Sequence, residues 1–540
     1  MRKRAIVRFL PILVLLVAAA FRYHGLNWDQ GIGAHPDERY VVDVASRLSF
    51  AGELNPFDPA PDYAYGHLPL YVLAVAGAVV PRADLLIVGR FLSASFDLGT
   101  VALTLALGRR VYDRRVGVLS AAFVGLMVAH MQQARFYTVD TMLAFWVLSA
   151  LLFAVQFVGN GRPVFAWLAG GAAGLAVATK GTAALLVIPL TAACLARRDA
   201  VRGACWHGGL AAIVVVLAVQ PFAVLELPTF LRNLSREIAI LRGAIDVPYT
   251  RQYRGTIPYV YAAVQQLRWG MGPCLGVVAL AGLTYVVFRV VEWTPRATTW
   301  VLLAWVLPFT AFMGGVTVKF PRHMLPVLPI LAIYAAYLVT ALARWRSSLL
   351  PVISGLVLSS LLLPCVALAA MYREPHPWVI ASEWFYQHAH DGARITVEAW
   401  DHPLPLRTEA YSVLELPIFD EESAEKWETV ERALDEADYV VIASRRGYAS
   451  LGRWEGRYGE TARYYGDLFE GRLGFEPVAC FGRYPHLGSI PLIDDPTAGL
   501  AFSLPELCRP DTEVVWPLGR LDESFVVYDH PQVIIFGRSD

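Results

Sequence analysis

The sequence predicts a polytopic α-helical membrane protein that carries a separate mixed α/β domain at its C-terminal end. The chain has 540 residues, of which 56% are hydrophobic and only 17% are charged. Apolar runs long enough to cross a bilayer recur from residue 5 to residue 371. Charged residues, glycine and proline then return together. We therefore divide the chain into a transmembrane domain, residues 1–371, and an α/β domain, residues 372–540.

The apolar runs predict about eleven transmembrane helices, since about 20 apolar residues cross the hydrocarbon core. They are Ala5–Phe21, Leu86–Gly108, Val116–His130, Thr141–Val158, Val164–Thr179, Thr182–Ala196, Trp206–Leu225, Gly272–Val291, Thr299–Gly315, Met324–Ala343 and Leu349–Met371. The fifth and sixth are separated because one helix over both would be roughly 50 Å long at about 1.5 Å per residue. Basic residues lie at both ends of this stretch, which fits two crossings joined by a turn at Lys180.

The orientation follows from the basic residues, because loops rich in lysine and arginine stay in the cytoplasm. Short arginine clusters precede the first crossing and recur in turns that the crossing count places on the same side. They are Arg2, Arg4, Arg109, Arg110, Arg114, Arg115, Arg197, Arg198, Arg289, Arg296, Arg344 and Arg346. The N-terminus is then cytoplasmic, and an odd number of crossings makes the α/β domain extracytoplasmic. A cleaved signal peptide in place of the first crossing is the alternative, and it leaves the remaining topology unchanged.

The first external loop, residues 22–85, is predicted to hold an interfacial helix and a second helix that is interfacial or re-entrant. Pro36–Phe50 mixes valines with charged residues at a helical period, and His67–Val80 is apolar but short for a crossing. In the α/β domain we predict strands at residues 393–397, 437–443 and 525–536, and a helix at residues 378–388.

The cysteines and the net charge limit the function classes. Cys194, Cys205, Cys274 and Cys365 lie in or beside apolar segments, and we expect them to be small hydrophobic side chains. Cys480 and Cys508 lie in the α/β domain, where an extracytoplasmic location would permit a disulfide that the sequence alone does not establish. No cysteine or histidine spacing indicates a zinc site. The formal net charge is zero, so nucleic acid is not an expected partner.

The tetrapeptide His35-Pro36-Asp37-Glu38 follows the first crossing closely. Proline suits the first position of a helix and acids suit its positive end, so the motif is typical of a helix start. It also places two carboxylates just outside the membrane. There a carboxylate can take a proton from an acceptor while a lipid-linked donor stays in the bilayer. Both interpretations hold together, since a helix start is a rigid mount.

Other charged residues are expected on the same outer side. Asp140 begins the fourth crossing and either caps that helix or joins the same site. Lys180 and Lys319 lie where the positive-inside rule disfavours cations, and their loops are short, so they stay close to the bilayer surface. Arg322 and His323 share the loop of Lys319. Snorkelling to lipid head groups is the alternative for these cations.

Asp97 lies within the second crossing, on the same helix face as Arg90. An unpaired charge is costly there. A buried ion pair of these two residues is therefore favoured over a role in transport.

In chain order the motifs are HPDE, RRVYDRR, QQARFYTVD, ATKGT, KFPRHMLP and, in the tail, DESFVVYDHPQVIIF. This ordered set resembles the C-type (GT-C) superfamily of glycosyltransferases with multiple membrane spans. It is most similar to the protein O-mannosyltransferases and the bacterial aminoarabinose transferase, over most of residues 1–371. The resemblance implies a GT-C-like catalytic transmembrane domain and a sugar donor on a polyprenyl or dolichyl phosphate.

The resemblance also implies roles for individual residues. Asp37 is the implied catalytic base, with Glu38 beside it and Asp140 as the second-loop acid. The cations implied near the donor phosphate are Lys180, Lys319, Arg322, His323 and Arg135. Tyr137 and His67 are expected to bind substrate. Some relatives hold a divalent cation between such acids and others do not. Because no third ligand is evident, neither a metal nor another cofactor is expected to be required.

The chemistry of the leaving group agrees independently with this set of residues. A polyprenyl phosphate is weakly basic, so one base for the acceptor hydroxyl and positive charge for the phosphate suffice. The resemblance implies a hexosyl or pentosyl transferase, mannosyltransferase-like and inverting, that acts at the outer face of the membrane, which we expect to be the plasma membrane. Its expected partners are a polyprenyl-phosphate-linked sugar, a protein, glycan or lipid acceptor, and the bilayer.

The alternative function is a transporter or flippase for lipid-linked sugars. Transporters carry ionisable groups near the bilayer midplane and have internal repeats. The charges of this chain concentrate at one membrane face, which favours the transferase.

Overall fold

The computed structural model describes residues 2–50, 52–197, 202–292 and 296–539. Arg198, assigned above to a cytoplasmic cluster, lies outside the described residues. The chain folds as two compact units. The transmembrane unit contains Met1–Leu26, Pro36–Ala244 and Thr256–Cys365, and the tail unit contains Asn27–His35, Ile245–Gly255 and Val366–Asp540. Two short segments that precede the last transmembrane helices along the chain therefore belong to the tail unit.

The transmembrane unit is α-helical. Its helices are α1 (Arg2–Tyr23), α2 (Pro36–Arg47), α3 (Leu68–Gly77), α4 (Leu85–Val111), α5 (Arg114–Gly125), α6 (Val128–Gln133), α7 (Val139–Asn160), α8 (Pro163–Val177), α9 (Val187–Leu195), α10 (Arg202–Val219), α11 (Phe222–Leu225), α12 (Leu227–Leu241), α13 (Val260–Gln265), α14 (Pro273–Glu292), α15 (Ala297–Gly315), α16 (Leu328–Trp345) and α17 (Leu349–Met371), whose end continues into the tail unit. Short 3₁₀ helices lie at Arg82–Asp84, Gly181–Leu186 and Pro321–Met324.

The predicted fold class is confirmed, and five of the described helices are long and apolar enough to cross a membrane. They are Arg82–Val111, Val139–Asn160, Ala297–Gly315, Leu328–Trp345 and Leu349–Met371. Shorter apolar helices lie at Phe9–Tyr23, Leu68–Gly77, Pro163–Val177, Gly181–Leu195, Gly203–Val219 and Pro273–Arg289. Every predicted crossing except the third overlaps one of these helices. The count of eleven crossings stays a prediction.

The third predicted crossing, Val116–His130, is wrong as a single helix, because α5 ends at Gly125 and α6 begins only at Val128, after two intervening residues. Arg22 explains the break. Its Nη1 donates to the carbonyl of Gly125 at 2.8 Å, and its Nη2 donates to that of Val124 at 3.2 Å. A distant guanidinium thus satisfies the carbonyls that a helix end leaves unpaired.

The core of the transmembrane unit surrounds α7. This helix is apolar on all sides and buries most of its length, as expected for a helix enclosed by others. Val147 and Leu151, one turn apart, are fully buried in the main cluster. The rigid packing of α7 fixes the position of Asp140 in its first turn.

The tail unit is a mixed α/β fold. Its helices are α18 (Pro377–His388), α19 (Ala424–Glu436), α20 (Arg446–Leu451), α21 (Glu455–Phe469) and α22 (Glu523–Val526). Its strands are β1 (Arg394–Glu398), β2 (Ser412–Leu416), β3 (Tyr439–Ile442), β4 (Phe475–Phe481), β5 (His486–Leu487), β6 (Ile490–Asp494), β7 (Trp516–Gly519) and β8 (Val533–Arg538). The main sheet has the order β2-β1-β3-β8-β4, with β1 parallel to β2 and β3, and β8 antiparallel to its neighbours. The smaller sheet has the order β5-β6-β7.

Three of the predicted elements of the tail are confirmed as β1, β3 and α18. The strand predicted over residues 525–536 is wrong in its first half, where α22 forms. The carboxylate of Asp522 accepts a hydrogen bond from the backbone N–H of Ser524, which caps this short helix. Only the later residues form the strand, and β8 lies inside the main sheet between β3 and β4, where its apolar side chains are buried.

The structure pairs four cysteines. Cys480 and Cys508 form a disulfide within the tail unit, which settles the pairing that the sequence left open. Cys194 and Cys205 also form a disulfide, between the end of α9 and the start of α10. The expectation that these two are inert hydrophobic side chains is therefore wrong.

Candidate active site

Asp37 lies in the first turn of α2, where Pro36 starts the helix as its motif predicts. Its carboxylate accepts a hydrogen bond of 2.7 Å from Nη2 of Arg322, which comes from the distant 3₁₀ helix Pro321–Met324. The side chain of Asp37 is 28% exposed, whereas that of Asp140, described next, is 3% exposed. A substrate can therefore reach Asp37 from solvent.

Asp140 lies in the first turn of α7 and shares the same arginine. Nζ of Lys180 donates to Oδ1 of Asp140 at 2.9 Å, and Nε of Arg322 lies 3.7 Å from Oδ2. Arg322 therefore bridges Asp37 and Asp140. We call Asp37, Asp140, Lys180 and Arg322 the acid–cation cluster, and each of its members comes from a different segment of the transmembrane unit.

The turn that carries Lys180 is held by the segment before α3. The N–H of Gly66 donates to the carbonyl of Thr179 at 3.2 Å, and that of Leu68 donates to the carbonyl of Ala178 at 3.0 Å. A Cβ on Gly66 would lie 2.0 Å from the Ala178 carbonyl oxygen. Glycine alone permits so close an approach of the two backbones.

Tyr65 and Glu237 lie beside the cluster, and the sequence carried no signal for either. Burial, with the charges of Asp37, Glu237 and Asp140, raises the pKa of Tyr65 well above its usual value against the opposing charge of Arg322. Tyr65 is therefore a neutral hydrogen-bond donor. Glu237 projects from α12, and the charges of Asp37 and Lys180 both act on it.

The structure does not bring Glu38 into the cluster. Its carboxylate takes a bidentate pair from Arg90 at 3.0 and 2.7 Å and a third bond from the backbone N–H of Tyr137 at 2.8 Å. The side chains of Glu38 and Arg90 are both 0% exposed. This pair joins α2 to α4 and leaves Glu38 without access to a substrate.

Arg135 and Tyr137 are also buried away from solvent. Arg135 donates to the carbonyls of Met131 at 2.7 Å and Phe21 at 2.6 Å, so it ties α6 to α1. The hydroxyl of Tyr137 donates to the carbonyl of Pro69 at 2.8 Å. These contacts make both residues part of the buried scaffold of the transmembrane unit.

Lys319 and His323 lie near the cluster but outside it. Nζ of Lys319 donates to the carbonyl of Thr317 at 2.8 Å and to the hydroxyl of Thr256 at 3.2 Å, and burial lowers its pKa. Burial, with Lys180 and Arg322 close by, lowers the pKa of His323 well below its usual value. His323 is therefore neutral at pH 7 and offers no positive charge to a phosphate.

His67 is fully buried at the start of α3. Its ring lies among the aromatic side chains of Phe57, Tyr63 and Tyr71, with ring centroids 5.4 to 6.3 Å away. Burial lowers its pKa to about 4. The structure places it in an aromatic core and not on an open surface.

The predicted ion pair of Asp97 with Arg90 is wrong. Asp97 accepts a bond of 2.7 Å from Nε of Arg22 and lies 2.5 Å from Nδ1 of His130, and all three side chains are fully buried. Arg90 is occupied by Glu38. Asp97 is thus structural, as predicted, but with different partners.

Metal ligands are sparse in the part of the chain that the structure describes, where no group of three His, Cys, Asp or Glu side chains could hold a metal ion. The acid–cation cluster contributes two carboxylates, each already occupied by a cation. The expectation that no metal is required stays a prediction.

An apolar cavity of about 610 Å³ lies between α7, α8, α9 and α10. Its wall includes Ala183 and Ala184 in the 3₁₀ helix that follows Lys180 directly, and it extends to Cys194 near the end of α9. Most of the other lining residues are alanine, glycine, valine or leucine. The cavity therefore leads from the neighbourhood of the cluster along the apolar part of the transmembrane unit.

Comparisons with known proteins agree with this architecture. Residues 71–224 match the family model of dolichyl-phosphate-mannose-protein mannosyltransferases, and this stretch includes Asp140 and Lys180. None of the curated proteins matches the chain in sequence. The crystal structure of the Archaeoglobus fulgidus oligosaccharyltransferase in complex with Zn and sulfate is similar with a TM-score of 0.54 and 16% identity, over 87% of this chain and 72% of that one.

The chain has the GT-C fold. Two further GT-C structures are similar to it. The archaeal oligosaccharyltransferase AglB from Archaeoglobus fulgidus, in complex with an inhibitory peptide and a dolichol-phosphate, has a TM-score of 0.54 and 15% identity over 91% of this chain and 75% of that one. ArnT from Cupriavidus metallidurans, in the apo state, has a TM-score of 0.50 and 16% identity over 84% of this chain and 95% of that one. The predicted resemblance to the GT-C superfamily is confirmed.

Proposed function

We propose that this GT-C protein transfers a sugar from a polyprenyl-phosphate carrier to an acceptor hydroxyl at the extracytoplasmic face of the membrane. The observation that carries the proposal is the acid–cation cluster. Arg322 bridges Asp37 and Asp140, and Lys180 pairs with Asp140, although the four residues come from four separate segments. The proposed base and the proposed cationic phosphate site thus lie in one cluster of side chains.

The cations match the needs of the leaving group. The phosphate gains negative charge as the bond to the sugar breaks, and positioned cations stabilise that charge in the transition state. Lys180 has further N–H donors beyond the one given to Asp140, and its side chain is 17% exposed. Charge-assisted hydrogen bonds to phosphate are among the strongest that side chains form.

Asp37 is the proposed base. In a single displacement with inversion, the acceptor oxygen attacks the anomeric carbon from the face opposite the phosphate. Its proton passes to the Asp37 carboxylate, and the bonding electron pair leaves with the lipid phosphate. Because Asp37 is the more exposed acid of the cluster, it is placed on the acceptor side.

The apolar cavity supports a lipid-linked donor. Its lining includes Ala183, three residues after Lys180, so a hydrocarbon chain attached to a phosphate held by Lys180 could extend into it. Burying each CH₂ group of such a chain contributes about 0.8 kcal/mol. The name of the matched family includes dolichyl-phosphate-mannose, and the AglB structure is a complex with a dolichol-phosphate. We propose a polyprenyl-phosphate sugar as donor on these grounds.

The transporter alternative loses its main support. Asp97 was the one ionisable residue of the second crossing that favoured it. In the structure Asp97 is buried and paired with Arg22 and His130. A group so enclosed does not line a transport path.

The first prediction concerns the base. Asp37→Asn should lower transfer by about 100-fold or more, the range for loss of a general base, because the amide cannot accept the proton. The measurement is sugar release from radiolabelled polyprenyl-phosphate mannose, glucose and arabinose by the purified protein, with and without peptide, glycan and lipid acceptors.

Asp43→Asn is the matched control, because Asp43 lies on the same helix and its carboxylate, among the described residues, forms an exposed pair with Arg47. It should keep full activity. Near-normal turnover by Asp37→Asn would reject Asp37 as the base. If the wild-type protein turns over none of the three donors in the presence of all acceptors, the proposed substrate class is wrong.

A further inference from the structure

Helix α12 is fixed near its middle and at its C-terminal end to segments that lead to residues of the cluster or its surroundings. Near its middle, Nδ2 of Asn233 donates to the carbonyls of Pro61 at 2.9 Å and Tyr63 at 3.1 Å, in the segment that leads to Tyr65. At its C-terminal end, the carbonyl of Leu241 accepts from the N–H of Thr317 at 3.0 Å, in the loop that leads to Arg322. One face of the helix therefore lies toward the segments that carry Tyr65 and Arg322.

Glu237 lies on that face. It follows Asn233 by four residues, so the two side chains leave α12 on the same side, one turn apart. The charges of Asp37 and Lys180 act on Glu237, and Tyr65 is within reach of the charges of Asp37, Asp140, Arg322 and Glu237 at once. Glu237 is therefore a third carboxyl group near the acid–cation cluster.

Glu237 differs from the other two carboxylates in its partners. Asp37 and Asp140 are each paired with a cation of the cluster. Within the described residues, Glu237 forms neither an ion pair nor a hydrogen bond, although it is partly buried. A carboxyl group in this position is free to bind and release a proton.

The surroundings of Glu237 favour its protonated form more than water does. Burial raises its pKa above the usual value. Asp37 from α2 and Asp62 from the following loop act in the same direction, whereas Arg236 on α12 and Lys180 oppose them. Tyr65 is neutral and adds no charge. Glu237 is thus a better proton acceptor than an ordinary glutamate at the same pH.

We propose that Glu237 takes the acceptor proton from Asp37 and releases it to solvent. The proposal rests on the proposed function. During transfer, the acceptor oxygen bonds to the anomeric carbon, and the bond from that carbon to the phosphate oxygen breaks with its electron pair on the phosphate. The proton moves from the acceptor oxygen to Asp37 and then to Glu237. Its departure restores the 2.7 Å pair of Asp37 with Arg322 for the next turnover.

Hydrolysis of the lipid-linked donor, with water as acceptor, tests this relay without an identified acceptor. The probe is whichever radiolabelled polyprenyl-phosphate sugar of the mannose, glucose and arabinose set the wild-type protein cleaves. Glu237→Gln should lower kcat about 10- to 100-fold and leave the donor KM unchanged. Because the relay needs the carboxylate form, wild-type kcat should fall as the pH drops through the raised pKa of Glu237. This fall of kcat at low pH should be absent from the pH profile of Glu237→Gln.

Chemical rescue separates a proton-transfer role from a structural one. Formate, a small carboxylate, should raise the kcat of Glu237→Ala at least several-fold. The kcat of Glu237→Asp should lie between those of the wild type and Glu237→Gln. Arg232→Gln is the matched control. It removes a charge from the exposed side of α12, where the hydrogen bond of Arg232 within the described residues goes to Thr229, and it should behave as the wild type.

A wild-type rate and pH profile for Glu237→Gln, with Asp37→Asn inactive, would overturn the relay and leave the proposed function intact. Activity in both variants would instead refute the proposed base. If Glu237→Gln does not elute as a monodisperse species, Glu237→Asp and formate rescue of Glu237→Ala decide the question. Absence of rescue in a variant with a normal donor KM would also overturn the relay.

Discussion

Four carboxylates of the transmembrane unit obtain their cations from segments far away in sequence. The pairs are Asp37–Arg322, Asp140–Lys180, Glu38–Arg90 and Asp97–Arg22, the last with His130 as a second partner. The last two pairs are fully buried, whereas the first two are partly exposed. The residue type is therefore the same in a scaffold pair and in a candidate site. Access to solvent is what separates them.

Adjacent residues illustrate what the sequence could and could not predict. Asp37 and Glu38 start a helix just after the first crossing, and both the helix and its location follow from local composition. Their partners do not. Successive residues of a helix point in directions about 100° apart, so Asp37 faces the cleft while Glu38 faces α4 and Arg90. Asp97 in turn pairs with Arg22, because Glu38 already occupies the arginine on its own helix face.

The buried pair of Glu38 with Arg90 gives a prediction about stability. Removing one partner leaves a buried charge uncompensated, which costs about 3–5 kcal/mol, whereas replacing both by apolar residues is often neutral. Arg90→Met should therefore lower the apparent Tm clearly. Arg90→Met combined with Glu38→Leu should recover most of the loss. The measurement is the surviving monodisperse fraction after heating in detergent. An unchanged Tm for Arg90→Met would contradict the structural role of the pair.

At the scale of elements, the acids of the cluster lie at the starts of helices and its cations lie at tight turns. Asp37 and Asp140 both lie in first turns, where a carboxylate is favoured by the helix dipole and held rigidly. Lys180 and Arg322 lie at short 3₁₀ helices. The helix starts were predictable from proline and acids near apolar runs. The roles of Tyr65 and Glu237 were not, because they depend on how a loop and α12 pack in three dimensions.

The close approach of Gly66 to the Lys180 turn gives a prediction at this scale. Gly66→Ala would place a methyl group 2.0 Å from the carbonyl oxygen of Ala178, so the turn must shift and Lys180 must move from Asp140. Donor kcat/KM should fall at least 10-fold while the protein remains monodisperse. Gly181→Ala is the matched control, since a Cβ there meets no atom within 4 Å although it adjoins Lys180. Equal activity of the two variants would show that the backbone approach does not position Lys180.

At the scale of the whole molecule, composition predicted the two-part organisation but not its boundary. Residues 27–35 and 245–255, which the sequence assigns to external loops of the transmembrane domain, fold with the tail unit. Arg251 shows why. It donates to the carbonyl of Phe419 at 2.6 Å and lies over the ring of Tyr458, contacts that no local pattern predicts. Length and hydropathy identify the spans, whereas membership of a unit depends on contacts distant in sequence.

The disulfide of the tail unit gives a test of the predicted orientation. Disulfides persist where the environment is oxidising. Cys480–Cys508 agrees with a tail domain outside the cytoplasm, whereas Cys194–Cys205 adjoins Arg197, which the predicted topology places in the cytoplasm. The orientation therefore needs a direct test. Replacing the other four cysteines by serine leaves Cys480 and Cys508 as the two cysteines of the chain. In right-side-out membrane vesicles, a membrane-impermeant maleimide should label the tail only after an impermeant reductant is added. If labelling requires lysis of the vesicles but does not require the reductant, the tail lies in the cytoplasm. Asp37 and Lys180 would then have to face the cytoplasm too if the number of crossings is odd, and donor transfer at the outer face would be untenable.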